Sequence, residues 1–442
     1  MARLVDATPP ERDRTIDFLR AASILAVVCG HWLVAAIQRG PHGIEVGNVL
    51  SDVPGLRPVT WVFQVMGVFF VVGGFSTRRS IEGRTGSKAG AFEAGAFFAS
   101  RAERLLRPTL VFVVVWLGAA GALGASAVDE RLVHAIARIA AQPLWFLAVY
   151  LVVTLVAPVQ LRVHRAAPLA LVIGLPVLVV TFDVLRFTDV ASGMAVFNYL
   201  FVFAFAQELG FHLSGRSHAV PLSGALAVAA AALAVLVALV TVGPYPVSMV
   251  GLPGARVSNM SPPTVCILVL TVVQMALLVA LRPWLARWLE RRGPWTFAVA
   301  INVGIMTIFL WHLTAAAAMG GFLYAVDWLP APATAAWWWA KLPWFVGCLV
   351  VLVPLVLLTV GVERLPSWTG AQYGSVVRRV LGVVVAVRGL AGFAVTGFDH
   401  FFEPAGRAFL GLRLSPGVDL LLVLVGYLLA CGVPRPAARS PR

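Results

Sequence analysis

The chain has 442 residues, of which 60% are hydrophobic and only 12% charged. No water-soluble domain of this length needs so much apolar surface, and several apolar runs reach the roughly 20 residues that cross a bilayer, so the chain reads as an all-α, polytopic integral membrane protein. The excess of 34 basic over 20 acidic residues, a net charge of +14, does not point to nucleic acid: the basic residues fall in short loops between apolar runs, where they act as topology signals.

In chain order, apolar spans are expected at about 15–38, 58–76, 108–127, 143–160, 168–182, 194–212, 219–242, 262–281, 295–317 and 341–362. Two weaker segments follow. Residues 380–398 carry Arg388 in their middle and 417–432 are short for a full crossing, so the pair reads either as two crossings or as an interfacial hairpin. This divides the chain into about ten core spans in 1–365 and an extension, 366–442. The loop 77–107 is the longest interior connection, and its residues 89–104, AGAFEAGAFFASRAER, are expected to form a helix along the inner surface. The loop after the second span holds Arg78, Arg79, Arg84, Lys88, Arg101, Arg104 and Arg107, and alternate loops after it are again the richer in arginine. That alternation places the N-terminus in the cytoplasm. No cleavable signal peptide is expected, since Asp6, Glu11 and Asp13 mix with Arg12 and Arg14 before a first span too long for one. Cys29, Cys266, Cys348 and Cys431 all lie in apolar runs without metal-ligand spacing, and neither a disulfide framework nor a metal site is expected.

The first span raises the chemical question. SILAVVCGHWLVAAI, residues 23–37, is apolar around a single imidazole, His31. On a helix of 100° and about 1.5 Å per residue, Arg20 falls about 20° and Asp17 about 40° from His31 on the wheel, with His31 roughly 16 Å beyond Arg20 and past mid-membrane. An ionisable residue at such depth suggests a pathway or a site; a histidine hydrogen-bonded to a neighbouring helix is the competing explanation. Asp17 and Arg20 read equally as an interfacial ion pair at i, i+3.

RTIDFLRAASILAVVCGH, residues 14–31, resembles the opening of the membrane acyltransferase 3 family, with Gly-His deep in the first span. SRAERLLRP resembles the family's Arg-x-x-Arg stretch, QPLWFLAVYLVVTLVAP its Leu-Trp-Phe-Leu span, and SNMSPPT and MTIFLWH resemble segments of its actinobacterial branch. The likeness covers about 14–362. Arg107 stands where a proline often precedes Pro108, and the extension lies past the usual core. The resemblance implies a multi-pass enzyme of the bacterial cell (inner) membrane that carries an acyl group, often acetyl, from cytoplasmic acyl-CoA to a hydroxyl of a carbohydrate or glycolipid acceptor at the outer face. The essential histidine falls on His31, with Asp17 and Arg20 on its helix. The donor-binding arginines fall on Arg101 and Arg104, with Arg14, and the acceptor side on Trp145, His312 and Asn259. No metal cofactor is implied, and homo-oligomerisation is left open.

The residue types suit that chemistry. Imidazole serves as base or as nucleophile in acyl transfer to an alcohol. Arginine forks match the phosphate oxygens of coenzyme A, although in an arbitrary membrane protein Arg101 and Arg104 would mark only the positive inside. His312, about seventeen residues into a span entered at Trp295, is expected about 25 Å along it near the outer end, with a solvated interfacial residue as the alternative. Trp145 is placed at the same end, where the aromatic belt is the alternative, and Asn302 is read as a helix–helix hydrogen bond. A multi-span transporter or flippase is the competing class; it would use the same buried polar residues, but the internal repeats of many transporters are not visible.

Overall fold

The computed structural model describes residues 5–6, 8–9, 12–40, 43–84, 94–126, 128–215, 220–365, 375–401 and 415–432. Among the described residues, eleven helical stretches are long and apolar enough to cross a membrane, and a shorter apolar helix follows at Pro416–Cys431. The protein is an all-α polytopic membrane protein; among the described residues the one regular β element is a small hairpin, β1 (Ala35–Gly40) with β2 (Gly43–Asn48).

The chain folds as two compact units. One comprises Met1–Ala36, Gly47–Gly83 and Val156–Ile305, the other Ile37–Val46, Arg84–Leu155 and Met306–Arg442. The main helices are α1 (Arg14–Val34), α2 (Met66–Arg84), α3 (Ala94–Gly124), α4 (Glu130–Ala141), α5 (Pro143–Ala166), α6 (Pro168–Phe187), α7 (Asn198–Gly215), α8 (Leu222–Thr241), α9 (Val265–Trp288), α10 (Arg292–Val303), α11 (Ile305–Ala325), α12 (Ala335–Thr359), α13 (Val376–Thr396) and α14 (Pro416–Cys431).

In the first unit, α1 begins where Asp13 caps it, its carboxylate accepting from the backbone N–H of Thr15 and Ile16. The helix stops at Val34, not at 38, and residues 35–40 enter the hairpin. Gly40 and Pro41 cannot extend a helix, and the Gln38 amide donates to Glu45 across the strands at 3.0 Å. Helices α2 and α7 approach backbone to backbone: a Cβ on Gly74 would lie 2.2 Å from the Gln207 carbonyl oxygen, and one on Gly210 would lie 2.1 Å from that of Val71. Between α8 and α9, the loop 242–264 is tied to the short helix Thr60–Phe63 and its flank. Trp61 Nε1 donates to Val247 O, Gln64 Nε2 to Met249 O, and the Met249 N–H to Thr60 Oγ1.

Two expectations are corrected. Residues 94–104 do not form a separate surface helix; they are the first turns of α3, which runs unbroken through Pro108 to Gly124. Their apolar side, with Phe97, Phe98, Leu105 and Leu106, is buried, and α13 and α14 pack beside it in the second unit. Arg379 donates to the Gly95 carbonyl at 2.7 Å. Residues 89–93 lie outside the described residues. The ninth span is also interrupted. Helix α10 ends at Val303, Gly304 takes a non-helical turn, and α11 starts afresh at Ile305.

The extension supplies two helices whose small residues let them pack tightly. A Cβ on Gly426 would sit 2.5 Å from the Ala386 nitrogen, and one on Gly382 would sit 2.5 Å from that of Ala430. Close approach of this kind is how lipid-embedded helices gain packing energy. It also brings Arg388, the charge that made 380–398 ambiguous, to 3.8 Å from the fully buried Asp419. Gly426→Val is expected to prise the pair apart and destabilise the protein by about 1–3 kcal/mol, the usual cost of overpacking. Gly118→Val, where an added Cβ meets nothing within 4 Å, should leave the melting temperature in detergent unchanged. Equal melting of the two variants would refute this account of the α13–α14 contact.

Candidate active site

The N-terminal end of α1 is fixed by charge. Asp17 is buried. Its Oδ2 accepts from Arg12 Nε at 2.5 Å and its Oδ1 from Arg20 at 3.4 Å. Arg20 also donates to Ser76 Oγ at 2.7 Å, and Asp13 accepts from Arg282 at 2.6 Å. Arg14 donates to the Leu289 carbonyl at 3.0 Å and lies over the Trp295 ring. Asn302 donates to the Asp17 carbonyl at 2.8 Å, the helix–helix hydrogen bond expected of it. The sequence-predicted Asp17 and Arg20 are therefore brought together, as an ion pair inside a network that anchors α1 against α2, α9 and α10.

His31 stands apart from that network. It occupies the last turn of α1, eleven residues and roughly 16 Å beyond Arg20 and about 25 Å from the helix start. Its side chain is exposed, while that of its neighbour Trp32 is buried. The carboxylate of Asp17, fourteen residues back, is roughly 21 Å away along the axis and does not orient the ring directly.

Asn259 is fully buried. Its amide nitrogen donates to the carbonyls of Pro246 (2.6 Å) and Ser248 (3.0 Å), and its oxygen accepts from Thr264 Oγ1 at 2.8 Å. All of these partners belong to the loop 242–264, which Asn259 holds in shape.

In the second unit, Arg101 and Arg104 lie on α3, Arg101 half-buried with its guanidinium over Phe97 and Arg104 exposed. Their neighbour Arg107 is engaged elsewhere, in an ion pair with Glu103 and a 2.8 Å bond to the Leu365 carbonyl. Trp145, half-buried, begins a run of rings that continues through Phe146 and Phe309 to His312, with centroid separations of 6.2, 5.0 and 5.9 Å. His312 is not a solvated interfacial residue. It is fully buried, and its Nδ1 donates to the Phe309 carbonyl at 2.6 Å, which leaves Nε2 as the basic nitrogen. Because the helix restarts at Ile305, His312 is only about 10 Å into α11, not about 25 Å along a helix from Trp295.

Sequence reasoning passed over two buried polar clusters in the first unit. In one, Glu208 accepts from His164 Nδ1 at 2.5 Å and Gln160 Nε2 at 3.1 Å and lies 3.4 Å from His212 Nε2; Arg78 donates to His164 Nε2 at 3.3 Å. In the other, Asp183 accepts from Asn198, Tyr245 and the Val265 N–H at 2.9–3.0 Å. Burial, together with the adjoining Asp183 carboxylate, pushes the Tyr245 phenol above its ordinary range and keeps it a donor. The available signal was a lone carboxylate in each apolar span, since such groups are costly unless paired.

The eleven apolar helical stretches among the described residues define the class: a polytopic helical membrane protein. The family model described as an acyltransferase domain matches residues 13–361, and the chain belongs to this acyltransferase 3 family: it is a membrane acyltransferase. No curated protein and no solved structure matches the chain significantly.

Proposed function

We propose that this acyltransferase moves an acyl group, acetyl in the simplest case, from cytoplasmic acyl-CoA to a hydroxyl of a sugar, glycan or glycolipid at the outer face of a bacterial cell membrane. The observation that carries the reading is the family match over 13–361, and the accessibility of His31 supports it. His31 acts as a base, taking the acceptor's hydroxyl proton as the oxygen attacks the thioester carbonyl, or as the first nucleophile. In either course the acyl carbon–sulfur bond breaks, a carbon–oxygen bond forms, and the proton ends on the coenzyme A thiol. Arg101 and Arg104 bind the donor's phosphates, on the cytoplasmic side that the arginine-rich loops indicate.

The test pairs two measurements. Membranes containing the protein should incorporate label from acyl-CoA covalently into glycan or lipid; transport of a substrate without incorporation would refute the enzyme reading. In detergent, Arg101→Ala should weaken acyl-CoA binding roughly 10-fold or more, the scale of a lost charge-assisted hydrogen bond. Arg101→Lys should recover only part of it, because lysine lacks the planar fork. Unchanged affinity in Arg101→Ala and Arg104→Ala would remove these residues from the donor site.

A further inference from the structure

We infer that His134, Asp399 and His400 form a binding site for a zinc-class divalent cation, which clips the segment after α13 to α4. The donor atoms of the three residues all lie within 4.8 Å of one another. His134 Nδ1 is 2.5 Å and His400 Nε2 3.5 Å from Asp399 Oδ2. Two imidazoles and a carboxylate are the borderline nitrogen and oxygen set that zinc favours. A metal about 2.0–2.2 Å from each donor draws such a set together by turning the two exposed rings.

A second observation points to a ligand. Asp399 is more than nine-tenths buried, yet its Oδ1 accepts no hydrogen bond. A buried carboxylate oxygen without a partner is costly, and a bound cation would offset that cost by neutralising the group. The histidine side chains are 46% and 43% exposed, which leaves the metal a route in. Glu130 Oε1, 3.8 Å from His400 Nε2, stands in reach as a fourth donor. Asp399 and His400 lie beyond the residues of the family match and His134 within them, so the site ties this chain's extension to the matched region and does not depend on the acyl-transfer reading. Its role is structural: the cation fixes the turn at 397–401 against the first turns of α4.

The test uses the full chain in detergent, purified without a polyhistidine tag, stripped with chelator and titrated with zinc chloride. Bound zinc is measured by mass spectrometry after desalting, alongside the melting temperature. The wild type should retain about one zinc per chain and melt higher with zinc than with magnesium or calcium. His134→Gln and His400→Gln, both at exposed positions, should each weaken zinc binding by about 100-fold or more, with the melting temperature of the zinc-free variants reading any effect on the fold. His212→Gln, in the other histidine–carboxylate cluster, should retain it. A wild type that binds no zinc, zinc retained by the His134→Gln/His400→Gln double variant, zinc lost in His212→Gln, or an equal response to magnesium would each overturn the inference.

Discussion

His31→Ala is expected to lower acyl transfer by roughly 10²–10⁴-fold, the contribution of a positioned base, while the protein remains folded in the membrane. The structural reason for the second half is the site's own geometry. The ring is exposed in the last turn of α1, eleven residues beyond Arg20, so its removal leaves the Asp17–Arg20 and Asp13–Arg282 ion pairs in place. Asp17→Asn should behave in the opposite manner. Asp17 holds Arg12 and Arg20, and its loss should lower the melting temperature more than the rate per folded molecule. Transfer by labelled acyl-CoA assay, normalised to monodisperse protein, separates the two. A His31→Ala enzyme with near-normal turnover would take the imidazole out of the mechanism.

The largest expected loss of stability is at Glu208. It is fully buried and accepts from His164 and Gln160 on α5, with His212 of its own α7 3.4 Å away, while Arg78 of α2 closes the group through His164. Glu208→Ala removes the buried carboxylate that accepts from His164 and Gln160 and leaves those donors facing low-dielectric surroundings, while Arg78 keeps its ion pair with Glu82. Breaking a buried ionic cluster on one side costs about 3–5 kcal/mol, and melting in detergent should fall accordingly. Glu208→Gln keeps an acceptor oxygen of the same reach and should lose less. A Glu208→Ala protein that melts with the wild type would show that the cluster adds nothing to the fold.

Length of apolar run, spacing of arginine and short motifs in order were enough to read the all-α membrane class, nearly every span and the family. These features are local: a bilayer imposes a minimum apolar length on each helix, and a helical wheel fixes which residues share a face. Local signals also placed Arg101 and Arg104 side by side on one helix. What only the tertiary structure decided depends on residues far apart in the chain. Residues 89–104 read as a surface helix, but the described part, 94–104, opens α3, and α13 and α14, nearly 300 residues later, pack beside it. Gly304 breaks the ninth span, and that break, invisible to hydropathy, moves His312 from an end to the interior of its helix. Asn259, read as facing acceptor, spends its hydrogen bonds on its own loop. His134 and Asp399 are separated by 265 positions, so no spacing rule could join them. Ion pairs, hydrogen-bond clusters and metal-ligand sets are set by distance in space, and in a helical bundle most of those distances are fixed by which helices pack together, which sequence periodicity does not encode.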